Sequence, residues 1–213
     1  ADETTPTNPL TTYAKANELA EHGVLPLADD AFTVVVLRQA TVYGFSPRMR
    51  FDLAINGMVY GAWKTGVLPL MRDGTQWRPM VHVRDTARAQ VFMLTAPADK
   101  VNGQIFNVGS DANNYQLGPL AEIVAKALPN EVKIDWYGDP DHRSYRVGFD
   151  KIEALGYKAE LTAEDGARDV HAALSEGRID KTTRTITLAW YKELIDWHRR
   201  VKDLEVNGGM LRI

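Results

Sequence analysis

The chain has 213 residues, 45% of them hydrophobic and 25% charged, with a formal net charge of -3 and no cysteine. That length can bury a substantial core, in one large domain or two small ones. The composition excludes a disulfide scaffold, thiolate metal centres and a polycationic nucleic-acid surface, and no apolar run reaches membrane-spanning length. The five histidines, His22, His82, His142, His171 and His198, show no ligand spacing, so no metal site is expected. No signal peptide opens the chain, and the expected location is cytoplasmic.

In chain order, the polar, Pro-containing stretch 1–9 reads as a loop. Thr11 or Thr12 can cap a helix through Tyr13 towards Gly23, which Pro26 ends or kinks. Residues Thr33 to Leu37 form a β-branched apolar run without alternation, which predicts a strand covered on both faces of a parallel sheet. A helix follows over 52–64, then strands at "VLPLM" and "PMVHV". Asp85 reads as the N-cap of the next helix and His82 as a satisfied core histidine. "GQIFNVGS" predicts a strand, "LGPLAEIVAKAL" an amphipathic helix and "EVKIDWY" a further strand; helices are expected over 150–156, 163–176 and 185–204. Alternation of strands and helices means α/β architecture. Trp190, Tyr191 and Trp197 recur on the last helix at spacings that fit core or interface packing rather than ligand stacking.

Five motifs stand in a characteristic order: "ETTPTNPLTTY", "VLRQATVYG", "QWRPMVHVRD", "IFNVG" and "DHRSYRV". Together they resemble the extended short-chain dehydrogenases/reductases, and within them the NAD-dependent nucleotide-sugar epimerases and dehydratases. The resemblance covers residues 3 to about 175. It implies a partial Rossmann-like parallel sheet over 1–110 with the Tyr13 helix. A smaller C-terminal α/β substrate lobe is implied over 111–213, the two interleaving. It also implies NAD as cofactor and a nucleotide-activated sugar as substrate. The Gly-rich turn that holds the dinucleotide in the family has no counterpart in this sequence, which starts about where the family's catalytic helix starts.

The second departure lies in "NPLTTYAKANEL". The family carries Tyr-x-x-x-Lys, in which the Lys lowers the tyrosine's pKa and holds the nicotinamide ribose; here Tyr13 is followed by Asn17. Residues i and i+4 share a helix face, whereas i and i+2 point roughly 200° apart, so Lys15 cannot replace the missing cation. Asn17 can bond a ribose hydroxyl but carries no charge. The resemblance makes Tyr13 the catalytic position. It puts Gln39 and Ala40 beneath the nicotinamide, and Thr41 where many relatives have Asn to meet the substrate. Asn56 becomes a contact to the nucleotide or sugar, its alternative being a helix-surface residue. Arg78 and Arg143 fall where the family grips the substrate diphosphate; the alternative is pairing with carboxylates such as Asp139 or Asp141. In "SPRMR", Arg48 and Arg50 form a basic pair beside the expected cleft; a solvated loop is the favoured reading, a contact to phosphate its alternative.

Two functional readings follow. One is an epimerase/dehydratase-type enzyme, impaired or incomplete as this chain; the other is a non-catalytic nucleotide-sugar-binding or regulatory protein. A third, structural reading makes the Tyr13 helix a dimer interface. An unpaired edge beside "TVVVL" is expected to draw in a second copy or a complementary chain.

Overall fold

The computed structural model describes residues 1–139, 143–206 and 209–211. Helix α1 spans Thr12–Val24, with the Thr11 hydroxyl accepting from the Ala14 amide at 3.1 Å, and gives way at Pro26 to a 3-10 turn. Strands β1, Val35–Gln39, and β2, Thr41–Tyr43, form one extended run broken at Ala40. Helix α2 is Ala54–Thr65, β3 Val67–Met71, β4 Trp77–His82, α3 Val83–Thr95, α4 Ala98–Val101 and β5 Gln104–Val108. Then come β6, Asn114–Gln116, α5, Leu117–Ala127, and β7, Lys133–Tyr137. Helices α6, Asp150–Ala154, α7, Ala163–Ser175, and α8, Thr187–Leu204, follow, and β8, Glu205–Val206, pairs antiparallel with β9, Met210–Leu211.

The pairings are mainly parallel. β1 runs beside β5, β2 beside β4 and β3 beside β7, while β6 joins β4 antiparallel. The Ala40 amide donates to the Val108 carbonyl at 3.0 Å, which carries the β1–β5 ladder to the switch into β2. Parallel neighbours need crossovers, and these are supplied by helices, as in α/β folds.

Two cores result. In the first, α2 turns Ile55, Met58, Val59 and Ala62 inward at helical spacing against Leu120, Ala121 and Val124 of α5 and Ala167 and Val170 of α7. The second gathers Val81, Phe106, Val108, Phe149, Ile152 and Tyr157 around β5, α3 and α6. Gly66 ends α2 in the left-handed conformation, φ 72°, which only glycine adopts without penalty.

Three expectations need correction. The "TVVVL" strand is not covered on both faces. Val35 and Leu37 pack on the second core only in part, and Arg38, one residue on, reaches across to Glu21 of α1 at 2.7 Å. Among the described residues β1 pairs with β5 alone, and α1 buries none of its residues. Second, α3 begins at Val83 and its cap is His82, whose Nδ1 accepts from the Arg84 amide at 3.2 Å. Asp85 sits inside the first turn, fully buried. Its Oδ2 accepts from the amides of Glu160 and Leu161 at 3.0 and 2.9 Å, and its Oδ1 from Arg88 at 2.8 Å. Third, His82 is only half satisfied: its Nε2 has no hydrogen-bond partner and lies 3.6 Å from the Asp169 carboxylate.

Around His82 the packing is close. A Cβ on Gly44, whose φ is 103°, would stand 2.4 Å from His82 Nε2, so the turn after β2 requires glycine on two counts. Burial holds the imidazole below its ordinary value, against the opposing pull of Asp169. The unfolded chain therefore binds this proton first, and folded stability falls as pH drops below about 6.5 towards the lower folded value. The Asp52 and Asp165 carboxyls, both lowered, lose their contributions only under more acid conditions. Urea midpoints taken between pH 7.5 and 5.5 should fall steadily. His82→Asn, which keeps an acceptor for the cap, should lower the midpoint at pH 7.5 yet flatten its pH dependence; an unchanged slope would locate the titration elsewhere.

Candidate functional site

A cleft of about 1000 Å³ opens where β1 passes into β2. Its walls come from the first turn of α1, the 39–42 segment, the loop into α2 and the ends of β3, β4 and β7, with Arg143, Tyr145, Lys181 and Thr187 arriving from later in the chain. The opening of such sites beyond the strand ends of a parallel sheet follows from the topology, because loops diverge there.

The cleft brings together six of the eight residues singled out from the sequence: Tyr13, Gln39, Ala40, Thr41, Arg78 and Arg143. Tyr13 stands at the rim, 78% exposed. Ala40 is buried and fixed by its backbone bond to Val108, which sets Gln39 and Thr41 on either side of it. Arg78, on β4, lies over the Tyr145 ring at 5.4 Å; its Nη1 donates to the Trp77 carbonyl at 2.8 Å and to the Arg143 carbonyl. The two arginines are thus tied to one another through the backbone, at one side of the cleft. Of the carboxylates offered as alternative partners for Arg143, Asp141 lies outside the described residues, as does His142.

The other two candidates stand apart. Asn17 is exposed on α1 and does not line the cleft. Asn56 is neither a cleft residue nor a helix-surface one. It is buried, its Oδ1 accepting from the Gly44 amide at 2.9 Å and its Nδ2 donating to the Arg50 carbonyl at 3.0 Å. Both ends of its amide are spent on holding the loops beside the cleft. A lone Asn in an apolar helix carried no signal of that role.

Sequence reasoning also missed part of the wall. Arg50, set beside the cleft with a solvated loop as its favoured reading, lines it and grips Asp52 bidentately, Nε to Oδ1 at 3.1 Å and Nη2 to Oδ2 at 2.9 Å. Burial raises the Asp52 pKa, but the Arg50 fork outweighs it and holds the carboxyl below its usual value. Lys181, far off in sequence, lies 4.9 Å over the Tyr60 ring at the same cleft. Among the described residues the lining charges are therefore Arg50, Arg78, Arg143 and Lys181 against Asp52. A concave, partly apolar site with that balance concentrates anions.

Residues 1–109 match the family described as the NAD dependent epimerase/dehydratase family. The chain belongs to that family. It is 27% identical over 128 residues to the low-salt glycan biosynthesis protein Agl12 of Haloferax volcanii, covering 59% of this chain and 40% of that one. It is 24% identical over 174 residues to a putative UDP-glucose 4-epimerase of Methanocaldococcus jannaschii, covering 79% of this chain and 55% of the other. Among solved structures, the UDP-glucuronic acid 4-epimerase of Bacillus cereus in complex with UDP-glucuronic acid and NAD matches with a TM-score of 0.66 at 20% identity. That match covers 82% of this chain and 55% of the other. The chain thus spans about half or less of the length of the curated relatives it matches. The parallel α/β architecture read from the sequence is the one these structural neighbours share.

Proposed function

We propose that this chain carries the substrate side of an NAD-dependent epimerase/dehydratase acting on a nucleotide-activated sugar, with its acid/base machinery weakened at one position. What supports the reading is a single juxtaposition: Tyr13 and the Gln39–Thr41 segment share one cleft with Arg78 and Arg143. A reacting hydroxyl placed beside Tyr13 leaves the diphosphate of the same molecule within the cationic half of the cleft. Planar guanidinium groups suit that task, since they can meet phosphate oxygens two at a time.

The residues present fit the reactive end of NAD. Gln39 and Ala40 form a floor largely of backbone, and Tyr13 stands at the rim beside it. When bound, NAD supplies hydride acceptance and return. The protein's part is to hold the sugar, exclude water and exchange a proton at the Tyr13 hydroxyl. For that exchange the tyrosine needs a cation within a few ångströms, and the residue one turn along is Asn17.

This last observation favours a second reading, in which the cleft binds a nucleotide sugar without turning it over. Asn17→Lys separates the two. With NAD and a panel of nucleotide sugars, the first reading expects Asn17→Lys to raise turnover at least tenfold, about 1.4 kcal/mol in barrier, and Tyr13→Phe to abolish it with binding intact. Calorimetric binding of the sugar nucleotide with no turnover in any variant would leave the second reading standing.

A further inference from the structure

The last helix is out of place as a core element. α8 is 18 residues long and buries none of them. Its first turn is anchored, with Ile186 packed on the first core and Arg184 lying 5.0 Å over the Trp190 ring. Beyond that, Leu194, Trp197, Val201 and Leu204 are exposed, Trp197 by 55%. In proteins most helical stability comes from packing an amphipathic face rather than from propensity.

Half-buried Trp190 and the exposed Leu194, Trp197, Val201 and Leu204 recur at intervals of four, three, four and three, with Leu188, Tyr191 and Ile195 exposed on the neighbouring stripe. That alternation makes one continuous seam of the coiled-coil type, in which each apolar knob enters a hole on a facing helix. We propose that this seam is the docking surface for α8 of a second copy of the chain, running antiparallel.

Side-chain size and charge favour this occupant. In the antiparallel register Trp190 faces Val201 of the other copy and Leu194 faces Trp197, so every indole meets an aliphatic side chain. A parallel pair would oppose indole to indole in two layers. The same register sets Glu193 beside Arg200 of the other copy, twice over by symmetry. Among the described residues neither of these forms an ion pair within its own chain, and the Arg200 guanidinium lies 5.5 Å over the Trp197 ring at the edge of the seam. The outward charges do pair, Asp196 with Arg199 and Lys202 with Glu205. The helix carries four basic residues against three acidic ones, a net charge of one that offers little attraction to an anionic membrane.

The chain has no cysteine, so single introduced thiols report the geometry. In the antiparallel register two copies of position 201 lie about 11 residues apart along the axis, roughly 16 Å, beyond disulfide reach. Val201→Cys and Trp190→Cys should therefore each stay uncrosslinked alone under mild oxidation and form a mixed disulfide when combined. Trp197→Glu, remote from both cores, should raise the dissociation constant in sedimentation equilibrium at least 100-fold with helix content of the body unchanged. A Val201 self-crosslink would overturn the register. Association that survives Trp197→Glu, with no 190–201 disulfide, would overturn the seam and point to the β1 edge. So would binding to phosphatidylglycerol vesicles that Trp197→Glu abolishes in the absence of any crosslink.

Discussion

Arg143→Ala should weaken binding of a uridine or thymidine diphosphate sugar by about 1.5–3 kcal/mol, a loss of roughly 10- to 150-fold in affinity. Arg143 is exposed at the cleft rim. Arg78 is different. It also donates to the carbonyls of Trp77 and Arg143 and lies over Tyr145. Arg78→Ala should therefore lose a similar or greater amount, part of it through movement of the 143–145 segment. Arg78→Lys should recover charge but not the fork. The decisive comparison is between ligands. Calorimetry with the nucleoside diphosphate should show the full loss, and the uncharged nucleoside should show almost none. Equal losses for both would mean that the arginines shape the cleft without meeting phosphate. Unchanged diphosphate affinity in both variants would remove the clamp altogether. Raising the salt concentration should weaken the wild type more than the double variant, in which Arg50 and Lys181 remain the cationic lining, because the attraction is between partly exposed charges.

What could be read in advance follows the range of the physics involved. The Thr11 cap, the stop at Pro26 and the start of α7 at Ala163 are decided within one or two helical turns. All are visible in the chain. That Arg78 and Arg143 share one cleft was legible through motif order, which stands in for long-range geometry. Residues whose role depends on distant partners were misread or missed. Asn56 binds backbone groups of two separate loop residues, Gly44 and Arg50, and Lys181 comes in from beyond α7. The short strand β6, Asn114–Gln116, has no apolar pattern and exists because Trp77 to Pro79 offer it an edge. The aromatic residues of α8 show the same limit. Their spacing indicated a packed face, while only the fold reveals that the helix buries none of its residues and that arginines, Arg184 and Arg200, lie over Trp190 and Trp197.

Asp85 is the clearest case of a residue with the right type and the wrong expected job, and its loss should carry the largest stability effect in the molecule. Read as a helix cap, it would be worth about 1 kcal/mol. In the fold its fully buried carboxylate receives two backbone amides, those of Glu160 and Leu161, and the Arg88 guanidinium. The Tyr157 hydroxyl donates to its backbone carbonyl at 2.7 Å. Asp85→Ala leaves those amides without an acceptor in a partly buried place, and each such orphan costs about 1–3 kcal/mol. Loss of the buried ionic contact to Arg88 adds to this, although Glu160 retains that arginine. The expected destabilisation is about 3–5 kcal/mol, measured as a fall in urea-unfolding free energy at pH 7.5. Asp85→Asn keeps one good acceptor and should fall between the two. The consequence extends beyond stability. The Leu161 carbonyl accepts from Tyr43 at 3.2 Å and from Asn113 at 3.0 Å, and Thr162 opens the capping box of α7. Asp85 thus fastens the second core, through β4 and α3, to the segment that launches a helix of the first core. Tyr43 ends β2, whose first residues line the cleft, so loosening 160–161 should also raise the dissociation constant for the nucleotide sugar without removing any residue that touches it. A loss below about 1 kcal/mol, or protection from amide exchange at Leu161 that persists in Asp85→Ala, would mean that the two cores are joined some other way.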